Sequence, residues 1–280
     1  MISIVLPTYN RKDLLIDAIT SISAQSFKDW ELIIVDDGST DGTYEAIKGH
    51  LCSRIHYVHQ KNQGVSRARN IGINKSRYDW IAFLDSDDYW HKNKLQYQLE
   101  TLENNPQYNA IYTDEIWIRS GVRVNQRKHH RKYSGWIFHH CLRSCLISPS
   151  SLLLSRNLLN LHGLFDDKLP VCEDYDLWIR ITTHQPILYL PEKLIVKRGG
   201  HSDQLSKSRW GMDRYRVQSL LKAVDSNLLT PQQEKWVADE IVYKSKILEN
   251  GFSKRNKLVQ AAYYRMLRRR FYSEVSKGEK

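Results

Sequence analysis

Apolar residues arrive in short unbroken runs through the first hundred positions, and each run gives way to helical spacing. Ile2–Leu6 is one such run, closed by Pro7, and predicts a buried strand. Asn10 is then placed to cap a helix, with Asp13 three residues on. Leu15, Ala18, Ile19 and Ile22 share one face of that helix. The runs 32–35, 55–58 and 80–84 predict three further strands. Helices fit between and after them, marked by Tyr44, Ile47 and Leu51, by Val65, Ala68 and Ile71, and by Leu95, Leu99 and Leu102.

Strands that alternate with helices in this way lie parallel, joined by crossovers, in an α/β sheet covered on both faces. Ligands of such sheets bind at the carboxyl ends of the strands. Three polar clusters fall there: Thr8-Tyr9-Asn10, Asp36-Asp37 and Asp85-Ser86-Asp87. Beyond residue 109 the pattern predicts strands at 110–118 and 151–155 and a helix over 174–182, with Leu177, Trp178 and Ile181 turned inward. Two short strands are expected at 187–190 and 194–196. After Gly199-Gly200 the chain reads as helices. One starts at Thr230, with Pro231 in the first helical position and Gln233 completing a capping box. The last covers about 257–272 and sets Leu258, Ala262 and Met266 opposite Arg265, Arg268, Arg269 and Arg270.

Composition narrows the class. The 280 residues are 41% hydrophobic and 26% charged, which supplies a core and argues against disorder. Lys and Arg outnumber Asp and Glu by 42 to 31, and the surplus of +11 implies an anionic partner. It is unevenly spread. Residues 201–280 hold 17 basic and 9 acidic residues, against 25 and 22 in the first two hundred. Between Glu115 and Asp166 there is no acid and there are eight Lys or Arg. No run approaches the roughly 18 apolar residues of a membrane span. Met1–Pro7 lacks the basic start of a signal peptide. Four cysteines make no disulfide framework, so reduced thiols and a cytoplasmic location are expected.

Asp85 and Asp87, two apart where a strand ends, can turn toward one point and suit a hard divalent cation, Mg²⁺ or Mn²⁺. Their other reading is capping of the next helix. Asp36 and Asp37 divide the same way: one carboxylate can cap a helix while the other accepts from a base N–H or a ribose hydroxyl.

Together, Pro7-Thr8-Tyr9-Asn10, the segment Val35-Asp36-Asp37-Gly38-Ser39-Thr40-Asp41, the stretch from Asn62 to Gly72, and Asp85-Ser86-Asp87-Asp88 resemble glycosyltransferase family 2 over about residues 1–205. These are inverting, nucleotide-sugar-dependent enzymes of the GT-A fold. The resemblance implies a Rossmann-like, mostly parallel central sheet flanked by helices, with a helical C-terminal extension. It implies a GT-A domain over 1–205, with a nucleotide-binding half at 1–108 and an acceptor half at 109–205, and a basic extension at 206–280. It places Pro7, Thr8, Tyr9, Asn10, Asp36, Asp37, Arg69, Asp85 and Ser86 around the nucleotide. Asp85, Asp87 and His201 are implied as ligands of Mn²⁺ or Mg²⁺. Glu173-Asp174 resembles the family's Glu-Asp pair, with Asp174 as catalytic base and Glu173 and Asp176 as rivals. Inverting transfer needs such a base for the acceptor hydroxyl and a cation for the leaving diphosphate. The chain departs from the family in lacking a proline before Lys94-Leu95.

The implied reaction moves a sugar from a UDP-linked donor to a carbohydrate or lipid-linked acceptor, in cell-surface polysaccharide or glycolipid synthesis. Two alternatives stand beside it: a nucleotidyltransferase, which would carry a Gly-rich loop after the first strand, and a non-catalytic sugar-nucleotide binder. Cys141, Cys145, His139 and His140 lack the usual zinc spacing and read as packing. The basic blocks 127–132 and 268–270 match no nucleic-acid-binding fold, so no nucleic-acid partner is expected. An anionic acceptor or a membrane surface is the expected contact, with the last helix either attached peripherally or packed on the core.

Overall fold

Strand β1 (Ile2–Thr8) sends Ile2, Ile4 and Leu6 to one side of the sheet and Val5 to the other, as strand geometry demands. The chain is described here by a computed structural model covering residues 1–126, 130–200 and 210–277, with side chains to residue 272. Helix α1 (Lys12–Ser23) lays Leu15, Ala18, Ile19 and Ile22 on the first side. Then come β2 (Trp30–Asp36), the short α2 (Thr43–Ile47), β3 (Ile55–His59), α3 (Val65–Lys75) and β4 (Trp80–Phe83). These strands lie parallel in the order β3-β2-β1-β4. The first strand runs on through Pro7, which the apolar run alone had made its end. Helix α3 sits so close to β1 that a Cβ on Gly72 would lie 2.3 Å from Val5 Cγ1.

At the opposite, amino ends of the strands, Glu31 is buried and ties three segments together. It accepts from Ser3 Oγ at 2.6 Å and from Arg77 N and Nε, each at 2.7 Å, while Tyr78 N donates to Ser3 Oγ at 3.0 Å. β1, β2 and the entry to β4 are thus locked in register.

The sheet continues as a mixed one. β5 (Tyr89–Trp90), α4 (Lys94–Glu103), β6 (Ala110–Arg119), β7 (Val122–Val124), α5 (Phe138–Arg143), β8 (Leu152–Ser155), α6 (Arg156–His162), α7 (Glu173–Thr182) and β9 (Leu188–Gly199) follow in turn. β8 lies antiparallel between β4 and β6, β9 is parallel to β6, and β5 closes the far edge against β9. The two strands expected at 187–190 and 194–196 are one. The register steps from Thr113↔Leu190 to Asp114↔Lys193, so an irregularity in β9 absorbs Pro191 and Glu192 without ending the ladder.

Of three C-terminal helices, α8 (Asp213–Asp225) packs on α7, α9 (Pro231–Ser253) on α5 and α8, and α10 (Leu258–Lys277) on α9. Thr230 caps α9 in the expected box with Gln233. The inward face of α10 is Ala261, Tyr264, Leu267 and Phe271. Leu258, Ala262 and Met266, read from sequence as its apolar side, are exposed. They face outward.

Candidate active site

Because β1 runs between β2 and β4, the carboxyl ends of these three strands lie side by side and bring the polar clusters together. Tyr9 is 46% exposed there. Pro7 and Thr8 are buried, and the Thr8 hydroxyl has no hydrogen-bond partner among the described residues. Asn10 does not cap α1, since Arg11 occupies that position. Instead Asn10 takes a left-handed φ of 49°, donates from its N to Ser39 Oγ at 2.8 Å and accepts from Thr40 N at 2.7 Å. It ties the loop after β1 to the loop after β2.

Asp36 accepts from Ser39 N at 2.8 Å and from the Tyr57 hydroxyl at 2.6 Å. Asp37 accepts from Gln63 N and Gly64 N at 2.8 Å and from Gln60 Nε2 at 2.5 Å, so it fastens the start of α3 to the end of β2. Gly38, with φ of +85°, is required between them and this loop: a Cβ would lie 2.9 Å from Asn62 N. Both carboxylates therefore organise the rim from which they were expected to reach a nucleoside.

The segment after β4 holds three carboxylates with different surroundings. Asp85 and Asp87 are partly exposed, and Ser86 is buried between them. Asp87 pairs with Arg11 at 2.9 Å. Asp88 is buried, accepts from Ser150 Oγ at 2.7 Å and from Arg198 N at 3.1 Å, and is pushed well above the usual carboxylate range by burial and by Asp87.

Arg69, on α3, is almost fully buried and joins this segment to α7. Its Nη2 donates to Asp85 Oδ1 at 2.7 Å and its Nη1 to Glu173 Oε1 at 2.6 Å. Burial would lower this guanidinium, but Asp85 and Glu173 outweigh it and hold it fully charged. Burial pushes Glu173 up; Arg69 opposes that shift and Asp174 adds to it.

Helix α7 begins at a left-handed Cys172, φ 62°, and its first turn carries three acids pointing three ways. Glu173 goes to Arg69. Asp176 is buried against Arg180 and Lys222, at 3.0 and 2.6 Å. Asp174 alone of the three lines a cavity of about 170 Å³, with Glu115, Trp117, His130, Lys132, Cys145 and Lys197 among its neighbours. There its Oδ2 accepts from the Cys145 thiol at 3.0 Å and its Oδ1 from Tyr175 N at 2.7 Å.

Several of these neighbours carried no sequence signal. Lys132, from the basic block expected to contact an anionic acceptor or a membrane surface, is buried and pairs with Glu115 at 3.1 Å. Burial lowers its ammonium, and Glu115 only partly offsets that. Lys197 faces Trp117 across the β6–β9 pair. Burial would lower it as well, but Glu115, Asp88 and Asp85 together hold it above its usual range. It is a partly buried cation shared by the cavity and the aspartate segment. Arg198 and Ser150 brace Asp87 and Asp88, and Cys145, read as packing, touches Asp174. His201 lies outside the described residues.

The resemblance implies a divalent cation at Asp85 and Asp87. The donor set fits one: two partly exposed carboxylates at a strand end give hard oxygen ligands and leave other positions to diphosphate oxygens and water. Among the described residues no group of three His, Cys, Asp or Glu is arranged as a closed metal site.

Residues 3–150 match Glycosyl transferase family 2. An uncharacterized glycosyltransferase of Rickettsia felis is 34% identical over 213 residues, 74% of this chain and 33% of that protein. The chain spans about a third of the length of that relative and of two others from Rickettsia. The Escherichia coli UDP-Glc:alpha-D-GlcNAc-diphosphoundecaprenol beta-1,3-glucosyltransferase WfaP is 32% identical over 186 residues, covering 65% of this chain and 70% of that protein. The crystal structure of S. aureus TarS 1-349 in complex with UDP-GlcNAc superposes with a TM-score of 0.67, over 99% of this chain and 91% of that chain, at 16% identity. At that identity the likeness concerns the fold, and the fold is the GT-A one.

Proposed function

The chain belongs to glycosyl transferase family 2, and on that premise we propose that it transfers a sugar, with inversion, from a UDP-linked donor to an acceptor hydroxyl. The observation that carries the reading is the Asp85–Arg69–Glu173 bridge. It sets the aspartate segment at the end of β4 beside the first turn of α7, where Asp174 opens on a cavity large enough for part of an acceptor.

In this reading Tyr9, the Thr8 hydroxyl and the rim built by Asp36 and Asp37 receive the nucleoside. Asp85 and Asp87 would hold Mg²⁺ or Mn²⁺, with His201 as a third ligand, and the bound ion supplies positive charge to the leaving diphosphate. Arg11 and Lys197 add fixed cations nearby. The acceptor hydroxyl enters the cavity, and the Asp174 carboxylate takes its proton as the oxygen attacks the anomeric carbon opposite the diphosphate. The C–O bond to the acceptor forms as the C–O bond to the diphosphate breaks. Glu173 is withdrawn from proton transfer by Arg69, and Asp176 by Lys222 and Arg180.

WfaP is named for a sugar carried on a lipid diphosphate. By that kinship we place the acceptor in the same class, with the protein at the cytoplasmic face of a membrane and the product destined for a surface polysaccharide or glycolipid. No helix among the described residues is long and apolar enough to cross a membrane.

Two substitutions test the assignment. Asp174→Asn should lower turnover by about a hundredfold or more and leave donor affinity within about threefold. Asp87→Ala should weaken donor binding when Mn²⁺ is present, and EDTA should weaken the wild type in the same way. Both are read by transfer assays and by the rise in melting temperature with a panel of nucleotide sugars. Full turnover in Asp174→Asn would dismiss Asp174 as base. A panel in which no nucleotide sugar raises the melting point with either cation would dismiss the whole reading.

A further inference from the structure

Helix α10 presents two apolar sets, and only one is used within the fold. Ala261, Tyr264, Leu267 and Phe271 close the core shared with α5, α7, α8 and α9. On the other side Leu258, Ala262 and Met266 recur every four residues along one line, with Val259 beside them. Leu258 is 65% exposed, Val259 81% and Met266 62%. Large apolar side chains that are contiguous and exposed to this degree mark a surface meant to be covered.

The charge around the stripe says what covers it. From Asn250 to Ser273 there are seven Lys or Arg and no acidic residue. By helical spacing Arg265 and Arg269 run along one edge of the stripe, and Tyr263 and Arg270 along the other. Glu249, behind the helix, pairs with Arg265 and Arg268 at 2.7 and 3.1 Å, so it steadies the cations without presenting negative charge on the stripe. A second copy of this chain is a poor match, because a two-fold contact would set this patch against itself and bring arginine against arginine.

We propose that the outward face of α10 seats on an anionic lipid surface. Leu258, Val259, Ala262 and Met266 enter the boundary between headgroups and acyl chains, while Arg265, Arg269 and Arg270 lie among the phosphates and Tyr263 sits at headgroup level. The helix is fixed to α9 by its inner face, so seating it on lipid holds the whole molecule at a set orientation. The purpose of that contact rests on the reading of a lipid-linked acceptor; the surface itself is argued from α10 alone.

The test uses the full chain and sedimentation with vesicles, without donor or acceptor. Vesicles containing phosphatidylglycerol should carry the protein down, pure phosphatidylcholine vesicles should not, and raised salt should release it. The double variant Leu258→Asp with Met266→Asp changes only exposed positions, so its melting temperature should match wild type while its partition falls about tenfold. Arg269→Gln should weaken binding and shallow the salt dependence. Equal binding of variant and wild type, or no preference for the anionic vesicles, would overturn the proposal. So would a concentration-dependent dimer, seen by light scattering, that Met266→Asp disperses, because the face would then belong to a second copy. Failure of vesicle binding leaves the transfer reaction standing, and failure of transfer leaves this result standing.

Discussion

A thiol is a weak hydrogen-bond donor, so Cys145 at 3.0 Å can orient the Asp174 carboxylate without strongly stabilising its charged form. Such a contact is worth about 1 kcal/mol, or roughly fivefold in rate. Cys145→Ala should therefore lower kcat by about that factor with the KM for donor unchanged, and Cys145→Ser should recover most of it. Steady-state kinetics decide the matter; an unaltered kcat in the alanine variant would remove Cys145 from the site. Nothing in the sequence singled this residue out, because it lies twenty-nine positions from Asp174 and in no motif. The same holds for the Glu115–Lys132 pair and for Lys197, which meet only through strand pairing. Asp174 itself was legible as one of three acids. The resemblance already favoured it; Arg69 and Lys222, which claim Glu173 and Asp176, add a reason that helical spacing does not reveal, since they lie on other elements.

Among the elements, the four parallel strands were readable because each is a short apolar run with a polar exit. What failed had local causes. Asn10 looked like a cap by residue type, but its left-handed backbone turns it toward the β2 loop. The break at Pro191 looked like a loop, but a register shift carries the strand past it. Two contacts at this scale make measurable claims. Gly72→Ala forces a methyl against Val5 and should cost about 1–3 kcal/mol in denaturant unfolding. Glu31 locks β1, β2 and β4 at their amino ends. Burial would raise its carboxyl, but the Ser3 hydroxyl and the Arg77 N–H and guanidinium outweigh that and hold it below the ordinary 4.5. A carboxyl depressed on folding adds stability above its unfolded value and loses it as pH falls through the folded one. Glu31→Gln should therefore be about 1–2 kcal/mol less stable at pH 7, with the gap to wild type narrowing as pH falls below the ordinary glutamate value. A gap that stays constant with pH would show the carboxylate's charge to be irrelevant.

At the scale of the molecule, composition placed the positive charge in the second half and the tail, and the residues described there carry it on an exposed helix and in a buried cluster. Packing is continuous across the boundary that the resemblance implies at residue 205. Val171, Tyr175 and Ile179 of the acceptor half share one core with Val217, Ile241, Phe252 and Phe271. Ending the chain before Leu258 would take Ala261, Tyr264, Leu267 and Phe271 out of that core and uncover Phe252, on which Tyr264 stacks. Several buried apolar side chains at about 1.5–3 kcal/mol each predict a melting temperature lower by about 10 °C or more. A truncated protein that melts with the wild type would make the tail a separate appendage after all.

A single guanidinium joining Asp85 to Glu173 also constrains the sequence of events. If a cation bound with the diphosphate drew Asp85 toward it, Arg69 would transmit the displacement to the first turn of α7, and so to Asp174. The two binding steps then cease to be independent. By reciprocity, whatever factor the first ligand confers on the affinity of the second is returned in equal measure. The bridge thereby predicts that the affinity of the aspartate segment for its ligand, measured with and without a ligand in the Asp174 cavity, changes by the same factor as the converse pair of measurements.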